Sequence, residues 1–395
     1  MKPARLSSQP RFLPGLLLIC LAAHLVAYPI LAAPAMANGS RPQQYNPGFR
    51  TIGVWIPELY ARLDIAVWYP SSRTPSSLRV DGWNISGAHN GRIVPGKYPV
   101  IVISHEIASS RLANHDLAAS LARLGFIVAA PTHPGDNMDD TSFLHHGVLF
   151  RDRPRHILLA LEAVLASAEL GSHADESRIG VLGVGSGSAT ALQVGGAVPS
   201  IAGLSAYCAS QPGVDPHCTP WSLAQMETMR EEFEQIAATE GPLAFTPPLN
   251  SYAPAMAGEE SANAKGDAPP ENRPRILRSI VLMTPGLAAL FPAESLAGVQ
   301  CPVGIVAASD DIFYPVDRNA ETLRRTMPRI PAYLAVAGAS HADLQSACPP
   351  DDTQFLEPLC SPPTDHSQTT RAERTLFIGQ FFQQTLGAPL LEKTH

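Results

Sequence analysis

Three residues, met along the chain in the order serine, aspartate, histidine, could between them carry out nucleophilic acyl transfer. They are Ser186 in "RIGVLGVGSGSATAL" (residues 178–192), Asp310 or Asp311 in "IVAASDDIFYP", and His341 in "AVAGASHADL". Such chemistry needs a nucleophile, a base to take its proton, a carboxylate to orient the base and two N–H donors for the oxyanion. The glycine run reads as strand, sharp turn and helix, in which Gly-x-Ser-x-Gly presents its serine at the tip. Here the flanking glycines are Gly183 and Gly187, the residue midway is Gly185, and the serine arrives one position late. Asp310 is the preferred acid, because Asp-x-Ile then returns Ile312 to the core; Asp311 is the alternative. His341 follows the last apolar strand, where the base belongs.

Gly185 therefore holds the nucleophile position, and Ser186 fills it poorly. An elbow nucleophile needs small residues two positions either side, and for Ser186 these are Val184 and Ser188. One step along the start of a helix also turns a side chain by about 100°, away from His341. Gly185 adopts a strained turn at little cost, so the turn survives while its hydroxyl does not. The Ser186 N–H then takes the place of an oxyanion donor. A strand one residue longer would restore Ser186 as the nucleophile.

The elements around these residues alternate. Residues 50–55 and 63–69 are β-rich and read as an antiparallel pair; residues 98–104, "YPVIVIS", form a continuous apolar run suited to a strand buried on both faces. A helical pattern covers 112–124, an apolar strand 126–130, and an amphipathic helix 151–170. A strand at 179–182 and a helix after it frame the elbow. Strands recur in "RILRSIVLMTPG", "CPVGIVAASDD" and "IPAYLAVAGASH", with a helix at 316–327, and a final helix in "RAERTLFIGQFFQQTLG" ends at Gly387. This rhythm predicts an α/β fold: a mostly parallel, doubly wound sheet with helices on both faces. It breaks at about 205–273, where the helix "WSLAQMETMREEFEQIAAT" precedes a run rich in Ala, Gly, Pro and Glu. That segment reads as a cap inserted into one catalytic domain spanning 50–390.

With these blocks in place, the chain resembles the bacterial predicted dienelactone hydrolases, relatives of the plasma-type platelet-activating-factor acetylhydrolases. The resemblance is carried by "TIGVWIPELYARLDIAVWYPSS", "VISHEIASSRLANHDLAASLARLGFIVAAPTHPGDN", "RDRPRHI", the elbow, "PAESLAGVQCPVGIVAASDDIFYPVDRNAETL" and "GASHADLQSAC". It runs in order from about residue 50 to 385 and weakens across the insert. It implies an α/β-hydrolase fold and cofactor-independent hydrolysis of carboxylic esters, small or lipid, by a Ser-Asp-His triad. Two departures fall on the chemistry. The family pattern Gly-His-Ser-x-Gly-Gly places Val184 at its histidine and Gly185 at its serine. Its oxyanion segment reads His-Gly with a further Gly, where this chain has His105, Glu106 and Ala108. An ionised Glu106 opposes a developing oxyanion, so both departures point to an impaired esterase, a possible pseudoenzyme, with a working Ser186–Asp310–His341 esterase as the alternative. His133 and Asp136 in "PTHPGDN" are read as fixing a turn, and His145 and His146 as loop surface.

Composition bounds the rest. A net charge of −7 and no basic stripe argue against nucleic acid as a partner. Lys2, Arg5 and Arg11 precede an apolar run ending in "APAMA", which predicts a signal peptide over 1–37, cleaved after Ala37, and a flexible leader over 38–49. Cleavage leaves no stable membrane anchor and a periplasmic or secreted chain. In such an oxidising compartment the short separations suggest the pairs Cys208–Cys218 and Cys348–Cys360, with Cys301 a buried thiol. No Cys-x-x-Cys or His-x-x-x-His spacing suggests a metal. Neither an oligomeric state nor a protein partner is written in these patterns.

Overall fold

The computed structural model describes residues 44–210, 218, 220–249, 275–348, 360 and 364–387. The expected signal peptide, the start of the leader and most of the Ala- and Pro-rich end of the insert lie outside them. Among the described residues, ten strands form a single sheet: β1 (Asn46–Ile56), β2 (Ala61–Ser71), β3 (Ser76–Val80), β4 (Trp83–His89), β5 (Tyr98–Ser104), β6 (Ile127–Pro131), β7 (Ala174–Val184), β8 (Leu277–Met283), β9 (Val303–Ala308) and β10 (Ala332–Val336). Their order across the sheet is β10-β9-β8-β7-β5-β6-β2-β1-β4-β3. The six strands from β10 to β6 are mutually parallel, and β1–β2, β2–β6 and β3–β4 are antiparallel. The chain enters at β5, crosses to β6 on one side and returns to β7 on the other. Their carboxyl ends therefore meet at the switch point where open α/β sheets place their sites.

Eight helices accompany the sheet among the described residues: α1 (His115–Arg123), α2 (Val148–Leu165), α3 (Gly187–Val194), α4 (Ile201–Ser210), α5 (Pro220–Glu240), α6 (Ala293–Leu296), α7 (Ala320–Thr326) and α8 (Asp365–Leu386). They bury two apolar layers, one per face. One layer holds Val100, Val102, Val181 and Leu282 with α2 and α3; the other holds Ile101, Ile103, Leu182 and Val281 with α1 and α8. The alternation of neighbouring residues between the two layers is what a strand buried on both faces requires. Gly387, at φ +81°, closes α8 where the sequence places its end.

Two features depart from expectation. β1 starts at Asn46, not residue 50, because residues 46–49 pair with 68–71 and Tyr45 is buried edge-on against Tyr98. The β3–β4 hairpin was not anticipated, although Asp81-Gly82, both at positive φ, is the two-residue turn that marks one. In the insert, α5 packs on α2 and α4. Cys208–Cys218 ties the end of α4 to the start of α5, and Cys348–Cys360 forms the second disulfide, both as the spacing suggests. Cys301 is free and half-buried, and burial pushes its thiol up to about 11. His146 does more than face solvent: its ring meets Glu232 of α5 at 2.8 Å, while Gly147 N–H donates to the same carboxylate, fastening α5 beside the start of α2.

Candidate active site

The elbow forms as the glycine spacing predicts. β7 ends at Val184, α3 starts at Gly187, and Gly185 stands between them at φ +54°. A Cβ on Gly187 would collide with the Ser104 carbonyl at the end of β5, and one on Gly183 with the Gly187 backbone. Both glycines therefore let helix and strands approach closely. Gly185 is held from two sides, its N–H donating to Met283 O at 2.9 Å and its carbonyl accepting from Gly286 N–H at 3.1 Å.

A side chain from elsewhere fills the space above Gly185. Glu106, two residues beyond β5, folds its carboxylate over the turn, and a Cβ on Gly185 would fall on Glu106 Oε2. The other oxygen, Oε1, accepts the Ser186 N–H at 3.0 Å, the Ile107 N–H at 2.6 Å and the Tyr314 hydroxyl at 2.9 Å. The Ser186 and Ile107 amides are the two donors that an α/β-hydrolase elbow aims at an oxyanion. Here they hold the protein's own carboxylate. Oε2 accepts no hydrogen bond, is buried, and lies 3.5 Å from His341 Nε2.

His341 is 2% exposed, and its Nδ1 lies 2.9 Å from Asp311 Oδ2. Burial disfavours its charged form, but the Asp311 hydrogen bond and the charges of Asp311 and Glu106 outweigh this and hold its pKa above the ordinary value. The expected preference for Asp310 is reversed. Asp310 is exposed and accepts from Ser309 Oγ, whereas Asp311 is buried. Asp311 Oδ1 accepts the N–H groups of Phe313 and Tyr314 at 2.9 Å each. That turn draws Asp311 inward and throws Ile312 out to 76% exposure, so the premise of a core-seeking Ile312 fails.

Ser186 supplies its backbone to the site and turns its hydroxyl elsewhere. Its Oγ accepts from Arg153 Nη1 at 3.2 Å. Arg153 also pairs with Asp136 at 2.7 Å and donates to Ser104 Oγ and the His105 carbonyl. Asp136 Oδ1 accepts the Ala108 N–H at 2.8 Å, and Ala108 sits at φ +50°. Asp136 does fix a turn, but the turn is the one that carries Glu106. His105 is part of the same support: its Nε2 accepts the His133 N–H at 3.0 Å, so Nδ1 carries the proton and donates to Glu106 O at 2.6 Å. Burial and the Arg153 charge push His105 down to about 3, keeping it neutral.

Sequence reasoning missed Arg153, Tyr314 and Gly286. Arg153 lies in "RDRPRHI", a block that the family resemblance already marks. Gly286 is small because the Tyr314 ring lies where its Cβ would go. Tyr314 has no local signal; only the fold brings it to Glu106, 208 residues away.

Residues 86–221 match the model of the dienelactone hydrolase family. No curated protein matches the chain. Among solved structures, the chain is similar to a ferulic acid esterase from Streptomyces cinnamoneus, at 16% identity and a TM-score of 0.52 over 89% of this chain and 92% of that one. A Pyrococcus horikoshii acylaminoacyl peptidase gives 13% identity and a TM-score of 0.46 over 89% of this chain and 43% of that one, under half its length. With β5 at the switch point, an elbow after β7 and an aspartate and a histidine after β9 and β10, the chain has the α/β-hydrolase fold.

Proposed function

We propose that this is a secreted or periplasmic hydrolase-fold protein, descended from carboxylic-ester hydrolases of the dienelactone and acetylhydrolase kind, whose serine step is gone. One observation carries the reading: the Glu106 carboxylate occupies the place that a nucleophile on residue 185 would need, with one oxygen in the oxyanion donors. An ester carbonyl brought to this site meets a filled hole, a negative charge and no hydroxyl facing His341. The Ser186 hydroxyl, engaged by Arg153, lacks the base contact that activation requires. Two disulfides agree with an oxidising compartment.

The test is turnover of short-chain p-nitrophenyl esters by the full chain and by Ser186→Ala. The expected result is a low rate that the substitution leaves unchanged. A rate that falls by about 100-fold or more in Ser186→Ala would establish the serine esterase instead.

A further inference from the structure

The site is more than a blocked one. A plug needs only to fill the oxyanion donors, and Oε1 does that. The second oxygen is buried, accepts no hydrogen bond and faces the Nε2 of a histidine whose other nitrogen is held by a buried aspartate. A buried carboxylate oxygen left without a hydrogen bond costs stability, and such groups concentrate where chemistry is done. Oε2 also stands where the elbow places a nucleophile.

The occupied hole decides which reaction fits. Because the Ser186 and Ile107 amides bind Glu106 Oε1, no substrate carbonyl can use them. The oxyanion they are placed to stabilise is one that forms on the Glu106 carbonyl itself. That happens when water attacks an ester of Glu106, and such an ester arises when the carboxylate is alkylated at a saturated carbon. The Tyr314 hydroxyl, on Oε1, is placed to protonate a leaving oxygen.

Building on the loss of the serine step, we propose that Glu106 is a carboxylate nucleophile that opens small epoxides, with His341 and Asp311 hydrolysing the resulting ester. In the first step the Oε2–carbon bond forms, the ring C–O bond breaks, and the ring oxygen takes the Tyr314 proton. Alkylation removes the Glu106 charge that raises the His341 pKa, so His341 gives up any proton it holds to solvent and acts as the neutral base. It then takes a proton from water, and the hydroxide adds to Glu106 Cδ while the two amides hold the oxyanion. Collapse expels the diol alkoxide, which takes the proton back from His341. The Glu106 carboxyl proton, left on the oxygen that came from water, returns to the Tyr314 phenolate and restores both groups. The sum is epoxide plus water giving a vicinal diol. With Glu106 3% exposed, a substrate reaches it only when side chains covering the site move, while Tyr314 keeps its contact with Oε1.

The test is a single turnover of 1,2-epoxybutane by excess full-length protein in 18O-labelled water. The proposal expects 1,2-butanediol free of label, because its new oxygen comes from Glu106, and label on the peptide containing Glu106. It also expects His341→Gln to slow diol release by about 100-fold or more and to accumulate a butanediol ester on that peptide. Label in the first-turnover diol, or neither diol nor adduct, overturns it. The isotope result needs no variant, so a misfolded His341→Gln does not spare the proposal. Failure here leaves the lost serine step standing; Ser186-dependent ester turnover would remove that reading separately.

Discussion

At Gly185 a missing side chain and a displaced one are the same fact. The glycine leaves a volume at the tip of the elbow, and Glu106 enters it from the neighbouring loop. The two residues are thereby coupled. Gly185→Ala would put a Cβ onto Oε2 and hold a non-glycine residue at φ +54°. We expect a loss of about 2–5 kcal/mol in urea denaturation, from strain and overpacking together. Glu106→Gly should recover a large part of it in the double variant, a non-additivity that separated sites do not show. The sequence revealed half of this pairing. Counting from "RIGVLG" places Gly185 at the tip, and "SHEIAS" marks Glu106 as anomalous near the oxyanion. That one fills the space left by the other depends on the approach of β5 to β7, which no local pattern encodes. The preference for Asp310 over Asp311 fails for a similar reason, since the turn of Asp311 with Phe313 and Tyr314 overrides the apolar preference of Ile312.

Among the elements, the segment after β5 carries backbone strain directly beside the site. Ala108 is in the left-handed region, held by the Asp136 carboxylate, which Arg153 in turn pins. A non-glycine residue there costs about 1–2 kcal/mol. Ala108→Gly should relieve that strain in the native state, while the looser unfolded chain returns about 0.4–1 kcal/mol of it. We predict a net change between zero and about +1.5 kcal/mol, read from the denaturation midpoint. The alternation of apolar strands and amphipathic helices was legible because both faces of the sheet are buried. The β3–β4 hairpin was not, since β3 is short, mostly exposed and at the sheet edge, leaving Asp81-Gly82 as the firm signal.

At the scale of the whole molecule, the buried histidines set the response to acid. His105, His133 and His156 lie in contact beneath the site, beside Arg153. Burial, chiefly, lowers all three, His105 to about 3, His156 to about 4 and His133 well below its ordinary value. The unfolded chain takes up protons below about pH 6.5 that the folded chain refuses. Their stabilisation is full above that pH and is lost as pH falls toward 4, by up to about 1.4 kcal/mol per unit for each group. His341, raised instead, acts oppositely: its contribution is full below about 6.5 and is lost as pH rises through its folded value. Urea midpoints should therefore drop between about pH 7 and about pH 5, and His156→Gln should flatten that slope. The central claim, that Glu106 has taken the nucleophile's place, is tested most directly by fluorophosphonate labelling read by peptide mass spectrometry. The account predicts an unlabelled native protein, with labelling at position 185 once Glu106→Gly and Gly185→Ser are combined. Stoichiometric labelling of the native protein at Ser186 would contradict it.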